Sequence, residues 1–143
     1  MNTVEATGVL TEGKVTETAI HLPGGLLGFE QIKNYLLVSN PAEAPFQWLQ
    51  VAGDASLAFL VVSPFEVDPA YAPDITAEDV SSIGLEDPAD ALLVNVVTLR
   101  PRGRSTINLK GPIVINQLSR VGKQVVVANS AEYSVQHPLP YSE

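Results

Sequence analysis

Glycine, proline, asparagine and aspartate recur at short intervals along this chain and cut it into brief runs rich in Val, Ile, Leu and Thr. A helix of ordinary length needs ten or more residues free of such breakers, whereas a strand needs about five. Short strands divided by regular turn signals are the pattern of an all-β sandwich or barrel. Strands are expected at residues 3–10, 14–22, 35–39, 46–51, 58–63, 91–99, 105–109, 113–116 and 123–128. In the second of these, Val15, Glu17, Ala19 and His21 share one face and Thr16, Thr18, Ile20 and Leu22 the other, because side chains alternate along a strand. The expected fold is all-β and mainly antiparallel, a small β-barrel or sandwich, in one domain spanning residues 1–143.

Residues 76–83 depart from the pattern. Thr76 is placed to cap a helix, Glu78 and Asp79 suit the positive end of its dipole, and Gly84 can end it in the left-handed conformation. A helix of about two turns cannot stand without packing onto the sheet. Ahead of it, Pro64, Pro69 and Pro73 predict an irregular, extended connection. The sequence therefore predicts one short helix set in one long loop.

Composition bounds the function. Hydrophobic residues make up 45% of the chain and charged residues 17%, which is too apolar for a disordered polypeptide. The absence of cysteine removes disulfides, thiolate nucleophiles and Cys-based zinc sites. The apolar runs at 57–62 and 92–97 fall far short of the roughly 20 residues that span a bilayer, and residues 1–10 contain no signal-like core, so a cytoplasmic protein is expected. Charge is divided: residues 1–99 carry 14 acidic and 2 basic groups, a net of −12, and residues 100–143 carry 2 acidic and 6 basic groups, a net of +4. An acidic bulk repels phosphate, which argues against direct nucleic-acid binding. The basic run Arg100, Arg102 and Arg104 reads as a solvated hairpin tip.

Motifs that would carry catalysis are scarce. His21 and His137 stand far apart, no G-x-S-x-G elbow is present, and neither histidine has an acidic cluster to orient it. Glu86, Asp87 and Asp90 around Pro88, and Glu66 with Asp68, lack the alternating oxygen spacing of a calcium loop. Gly24, Gly25 and Gly28 lack the spacing and the following Lys of a phosphate loop, and read as a tight turn. No catalytic residue, metal site or cofactor is expected. A carboxylate-based hydrolase acting on a carbohydrate or ester is the alternative, since two acids on separate strands can meet in a fold.

The ordered set of turns resembles the FliW family of flagellar assembly factors. Pro23 to Glu30, ending in Gly28-Phe29-Glu30, looks like its early turn. The run FQWLQ from Phe46 to Gln50, with Gly53-Asp54, Leu57 to Phe59, Pro64 and Tyr71, is similar to its central strands. TINLKGPIVIN from Thr106 to Asn116 resembles its most recognisable motif, and Gly122, Gln124 and Tyr133 its closing strands. Val51 stands where serine is more usual, and Gly25-Leu26-Leu27 replaces a more proline-rich turn.

The resemblance implies a non-enzymatic β-rich protein that binds the translational regulator CsrA, away from its RNA surface, and binds newly made flagellin as the alternative partner. On this resemblance the candidate partner-binding residues are Phe29, Glu30, Asn108, Leu109, Pro112, Asn116, Gln124 and Tyr133. Bottom-up, Gly28-Phe29-Glu30 and the stretch from Asn108 to Asn116 are expected to be mainly architectural. Phe29 would plug a core edge, and Asn108 and Asn116 would satisfy loop backbone groups around Gly111-Pro112.

Overall fold

The computed structural model describes residues 14–140, so the expected strand at 3–10 lies outside the described residues. Strands β1 (Thr16–His21), β2 (Asn34–Ser39), β3 (Phe46–Val51) and β4 (Asp54–Val62) form an antiparallel meander. Strand β5 (Ala91–Thr98) pairs with β7 (Ile113–Asn116), and β7 with β8 (Val121–Gln124), again antiparallel. Two joints close these halves into a seven-stranded barrel in the order β4-β3-β2-β1-β8-β7-β5. One joint is antiparallel, Val61↔Val96 and Val62↔Asn95. The other is parallel and consists of the single pair His21↔Val121. Strands β6 (Thr106–Ile107) and β9 (His137–Pro138) extend from β5 as a side ribbon. The all-β expectation thus resolves to a barrel.

Period-two alternation sorts side chains into separate cores. Ile20, Leu37, Leu49, Val61, Val94, Ile113 and Ile115 pack together with Tyr35, all at most 6% exposed. Neighbouring Val62 points to the other face of β4, where it joins Val97, Ile107, Leu109, Leu139 and Tyr71 in a second core. Val114, between Ile113 and Ile115, likewise points outward and packs with Ile83 and Val125. The second and third cores are roofed in part by the connection at 64–90.

That connection differs from its expected extended form. Residues Pro64–Val67 make one helical turn, α1, because Ser63 Oγ accepts a hydrogen bond from Phe65 N at 3.3 Å and proline occupies the first turn, where it needs no donor. The second helix, α2 (Ala77–Ser82), forms as expected: Thr76 Oγ1 accepts from Asp79 N at 3.1 Å, and Gly84 follows with φ of 67°. The connection therefore holds two short α-helices where one was expected. The salt bridge from Lys123 Nζ to Asp79 Oδ1, 2.6 Å, and the bond from Asn116 Nδ2 to Ile83 O, 3.0 Å, pin α2 against β8 and β7.

Some strand limits move. β4 starts at Asp54 instead of 58 because the two-residue turn at Ala52 and Gly53, with Gly53 at φ 84°, lets pairing begin at once. β6 shrinks to Thr106–Ile107, and β8 occupies Val121–Gln124 in place of 123–128. Beyond Gln124 the backbone stays extended beside residues 110–112, through Val125 N to Pro112 O and Val127 N to Lys110 O.

Candidate functional site

The segment after β1 folds back on itself. Gly25, at φ 65°, donates from its N to Leu22 O, and Phe29 N donates to Leu26 O. Lys33 Nζ donates to Pro23 O at 2.6 Å and to Glu30 O at 3.2 Å, tying both arms together. Glu30 Oε2 accepts from Gly28 N at 3.0 Å. That bond, and one from its own backbone N–H, hold the Glu30 carboxyl below the usual carboxylate range. A general acid for glycoside chemistry needs the opposite displacement.

Gln124 connects this turn to the motif around Gly111. Its Oε1 accepts from Leu27 N at 2.9 Å, and its Nε2 donates to Gly111 O at 3.2 Å. Asn108 Oδ1 accepts from Lys110 N and Gly111 N at 3.0 and 3.1 Å, so its amide holds the Gly111-Pro112 turn. Asn108 O in turn accepts from Asn95 Nδ2 at 2.8 Å. Asn95 itself is fully buried, and its Oδ1 has no hydrogen-bond donor.

Phe29 sits at the rim of the barrel with its ring edge-on to Phe59, centroids 5.0 Å apart. It is 38% exposed, so the expected plug covers the core edge only in part. Phe29→Ala should therefore cost about 2 kcal/mol, short of the roughly 3–5 kcal/mol of a fully buried ring. Thermal melting of the variant beside the parent checks this.

An aromatic stack lies over the second core. Tyr71 OH donates to Leu109 O at 2.6 Å, and its ring meets Tyr133 at 4.8 Å and Phe65 at 5.9 Å. Tyr133 OH accepts from Ala72 N at 2.9 Å. Asn129 then bridges the same two segments, Oδ1 accepting from Asp74 N and Nδ2 donating to Ala72 O.

The eight candidate residues do not share one surface. Leu109, Pro112 and Asn116 are buried. Asn116 lies at the far end of β7 from Pro112, where its Oδ1 accepts from Leu118 N and its Nδ2 holds Ile83 O. Gln124, Asn108 and Glu30 act on backbone groups of loops, and only Phe29 among the apolar candidates is exposed. Sequence reasoning singled out neither Asn95, which ties β5 to the Asn108 loop, nor Phe65, which is 45% exposed on α1. Among the described residues no group of three or more His, Asp or Glu side chains is placed to hold a metal ion, and no helix is long and apolar enough to cross a membrane.

A statistical model of one protein family, described as FliW protein, matches residues 6–139. The chain belongs to the FliW family. The flagellar assembly factor FliW of Moorella thermoacetica is 41% identical over 123 residues, covering 84% of this chain and 77% of that one. Its counterpart in Geotalea uraniireducens is 36% identical over 131 residues, covering 91% and 77%. A crystal structure of the flagellar assembly factor FliW superposes with a TM-score of 0.76 at 26% identity, over 92% of this chain and 89% of that chain. The FliW match thus takes in the Gly25 turn, the Tyr71 stack and the Asn108 to Asn116 motif together.

Proposed function

We propose that this chain is a cytoplasmic flagellar assembly factor that works by stoichiometric contact, binding CsrA and, as the alternative partner, flagellin. Free flagellin would occupy it and release CsrA to repress flagellin translation; export of flagellin would reverse the exchange. The observation that carries this reading is the FliW match over residues 6–139, with flagellar assembly factors 41% and 36% identical along 77% of their own length. The charge pattern is compatible with it. A body with a net of −12 in its first 99 residues, docked beside an RNA-binding surface, sets a negative potential where phosphates must approach. Such a field weakens as salt shortens the Debye length toward about 8 Å.

A gel-shift titration tests the reading. Added protein should displace leader RNA from active CsrA of the same cell, bind no RNA itself, and lose this effect when purified flagellin is added. A CsrA–RNA complex that is indifferent to saturating protein would refute it.

A further inference from the structure

The seam between β1 and β8 is closed less by backbone than by side chains. Among the described residues one ladder pair, His21↔Val121, joins the two strands, and His21 N donates to Arg120 O at 3.0 Å. At that pair β1 ends, and the chain turns into the folded-back segment 22–33. Side chains continue the closure where the ladder stops. Leu22, fully buried, packs against Gly122, whose missing Cβ leaves the space: a carbon there would stand 3.0 Å from Leu22 Cδ2 and 2.9 Å from Val114 O. Gln124 then reaches across, its Oε1 accepting from Leu27 N at 2.9 Å.

The position of Gln124 suits it to hold both sides. Its register partner on β7 is Ile113, a core residue, and paired residues share a face, so the Gln124 side chain lies on the inner face of the barrel. Its Nε2 donates to Gly111 O at 3.2 Å on the β7 side of the seam, while Oε1 holds Leu27 N on the β1 side. An amide tied at one end is already aimed at the other, so little side-chain freedom is lost in closing. Segment 22–33 is braced within itself, since Lys33 Nζ ties Pro23 O to Glu30 O and Leu22 N donates to Lys33 O at 2.7 Å. A hold on Leu27 is therefore a hold on the end of β1. We propose that Gln124 is a latch on the barrel seam: while its amide spans Gly111 and Leu27 the seam stays shut, and when it lets go the end of β1 and segment 22–33 lift from β8 as one unit, ahead of global unfolding.

Native-state amide exchange in low urea, read residue by residue by NMR on the full chain, tests this. In the parent, the amides of His21 and Leu27 should exchange through one shared opening that is less costly than the global unfolding reported by the slowest amides. Gln124→Met keeps the length of the side chain and removes both of its hydrogen bonds. It should speed exchange at His21 and Leu27 together by about fivefold, the effect of one net hydrogen bond lost from the closed state. Gln124→Glu keeps an acceptor for Leu27 N and gives up the bond to Gly111 O, so its rates should fall between those of the parent and Gln124→Met. It carries the test if Gln124→Met does not fold, which thermal melting of each protein reports. A parent in which His21 exchanges only with global unfolding overturns the proposal. A folded variant in which the acceleration is confined to Leu27, or in which neither amide speeds up, overturns it as well, because Gln124 would then be a local bond that does not hold the seam.

Discussion

Tyr71→Ala should destabilise the protein by about 3–5 kcal/mol, the range for removing a buried aromatic, enough to unfold a domain of ordinary stability. Tyr71 is 4% exposed and touches both flanking rings of its stack, so the second core cannot collapse onto the space it leaves. Tyr71→Phe separates packing from polarity. It keeps the ring and removes only the donor to Leu109 O, which should cost about 1–2 kcal/mol. The same hydroxyl gives a pH signature. Burial first of all pushes the Tyr71 phenol up to about 12; the Asn95 side chain opposes the shift and the neighbouring Tyr133 adds to it. The unfolded chain releases that proton near pH 10, so above pH 10 the folded state binds more protons than the unfolded one. Stability contributed by the protonated phenol is full below pH 10 and is lost as pH rises toward 12. Urea unfolding across that window should show a steeper loss in the parent than in Tyr71→Phe, where Tyr35, whose phenol burial also raises, still contributes, and equal alkaline slopes in both would refute it.

Gly25→Ala is the second large effect, expected at about 2–5 kcal/mol. Two costs add: roughly 1–2 kcal/mol for an L-residue in the left-handed region and about 1–3 kcal/mol for overpacking. A Cβ there would stand 2.5 Å from Phe29 O and 2.7 Å from Glu30 Cα, both backbone atoms that no rotamer change can move aside. Gly24→Ala is the control, because nothing lies within 4 Å of its added carbon. Denaturant midpoints of the two variants should differ widely at similar slopes. Matching midpoints would show that the turn around Gly25 opens freely and is not held by Lys33, Gln124 and Glu30.

What the sequence made legible was whatever is decided within a few residues. The cap of Thr76, the stop at Gly84 and the amide of Asn108 folding onto Gly111 are local bonds between neighbours, and the structure has each of them. Alternation in 14–22 put Ile20 and Leu22 on one face, and in the structure both are buried. Pro64 misled because a proline breaks a helix interior but suits a helix start, and the deciding residue was Ser63 before it.

Elements decided at a distance were not legible. β9 is only His137–Pro138, and it exists because β6 offers an edge. The limits of β8 follow from its register with β7, not from the apolar run at 125–127. The bond between Gln124 and Leu27 joins residues 97 apart, so nothing in either neighbourhood could reveal it. For the candidate site, residue types pointed to the right loops but not to which side chains face water. Leu109 and Asn116 turned out to be buried, whereas Phe65 was hidden in a stretch that read as mere proline-rich connection.

The parallel joint between β1 and β8 has a kinetic meaning. Each antiparallel half of the barrel is built from strands adjacent or nearly adjacent in sequence, so most of its ladders close over short loops. Joining His21 to Val121 brings together residues 100 apart through a single ladder pair, supported by the bonds from His21 N to Arg120 O and from Leu27 N to Gln124 Oε1. Ring closure is therefore the natural last step of folding and the first to reverse. Opening of the barrel is expected at this joint, which has one ladder pair against two at the β4–β5 joint, parting two intact sheets like a split cylinder instead of shedding strands from an edge. Transient opening of this kind leaves each sheet's own ladders protected from amide exchange while the inner side chains of both meet water together.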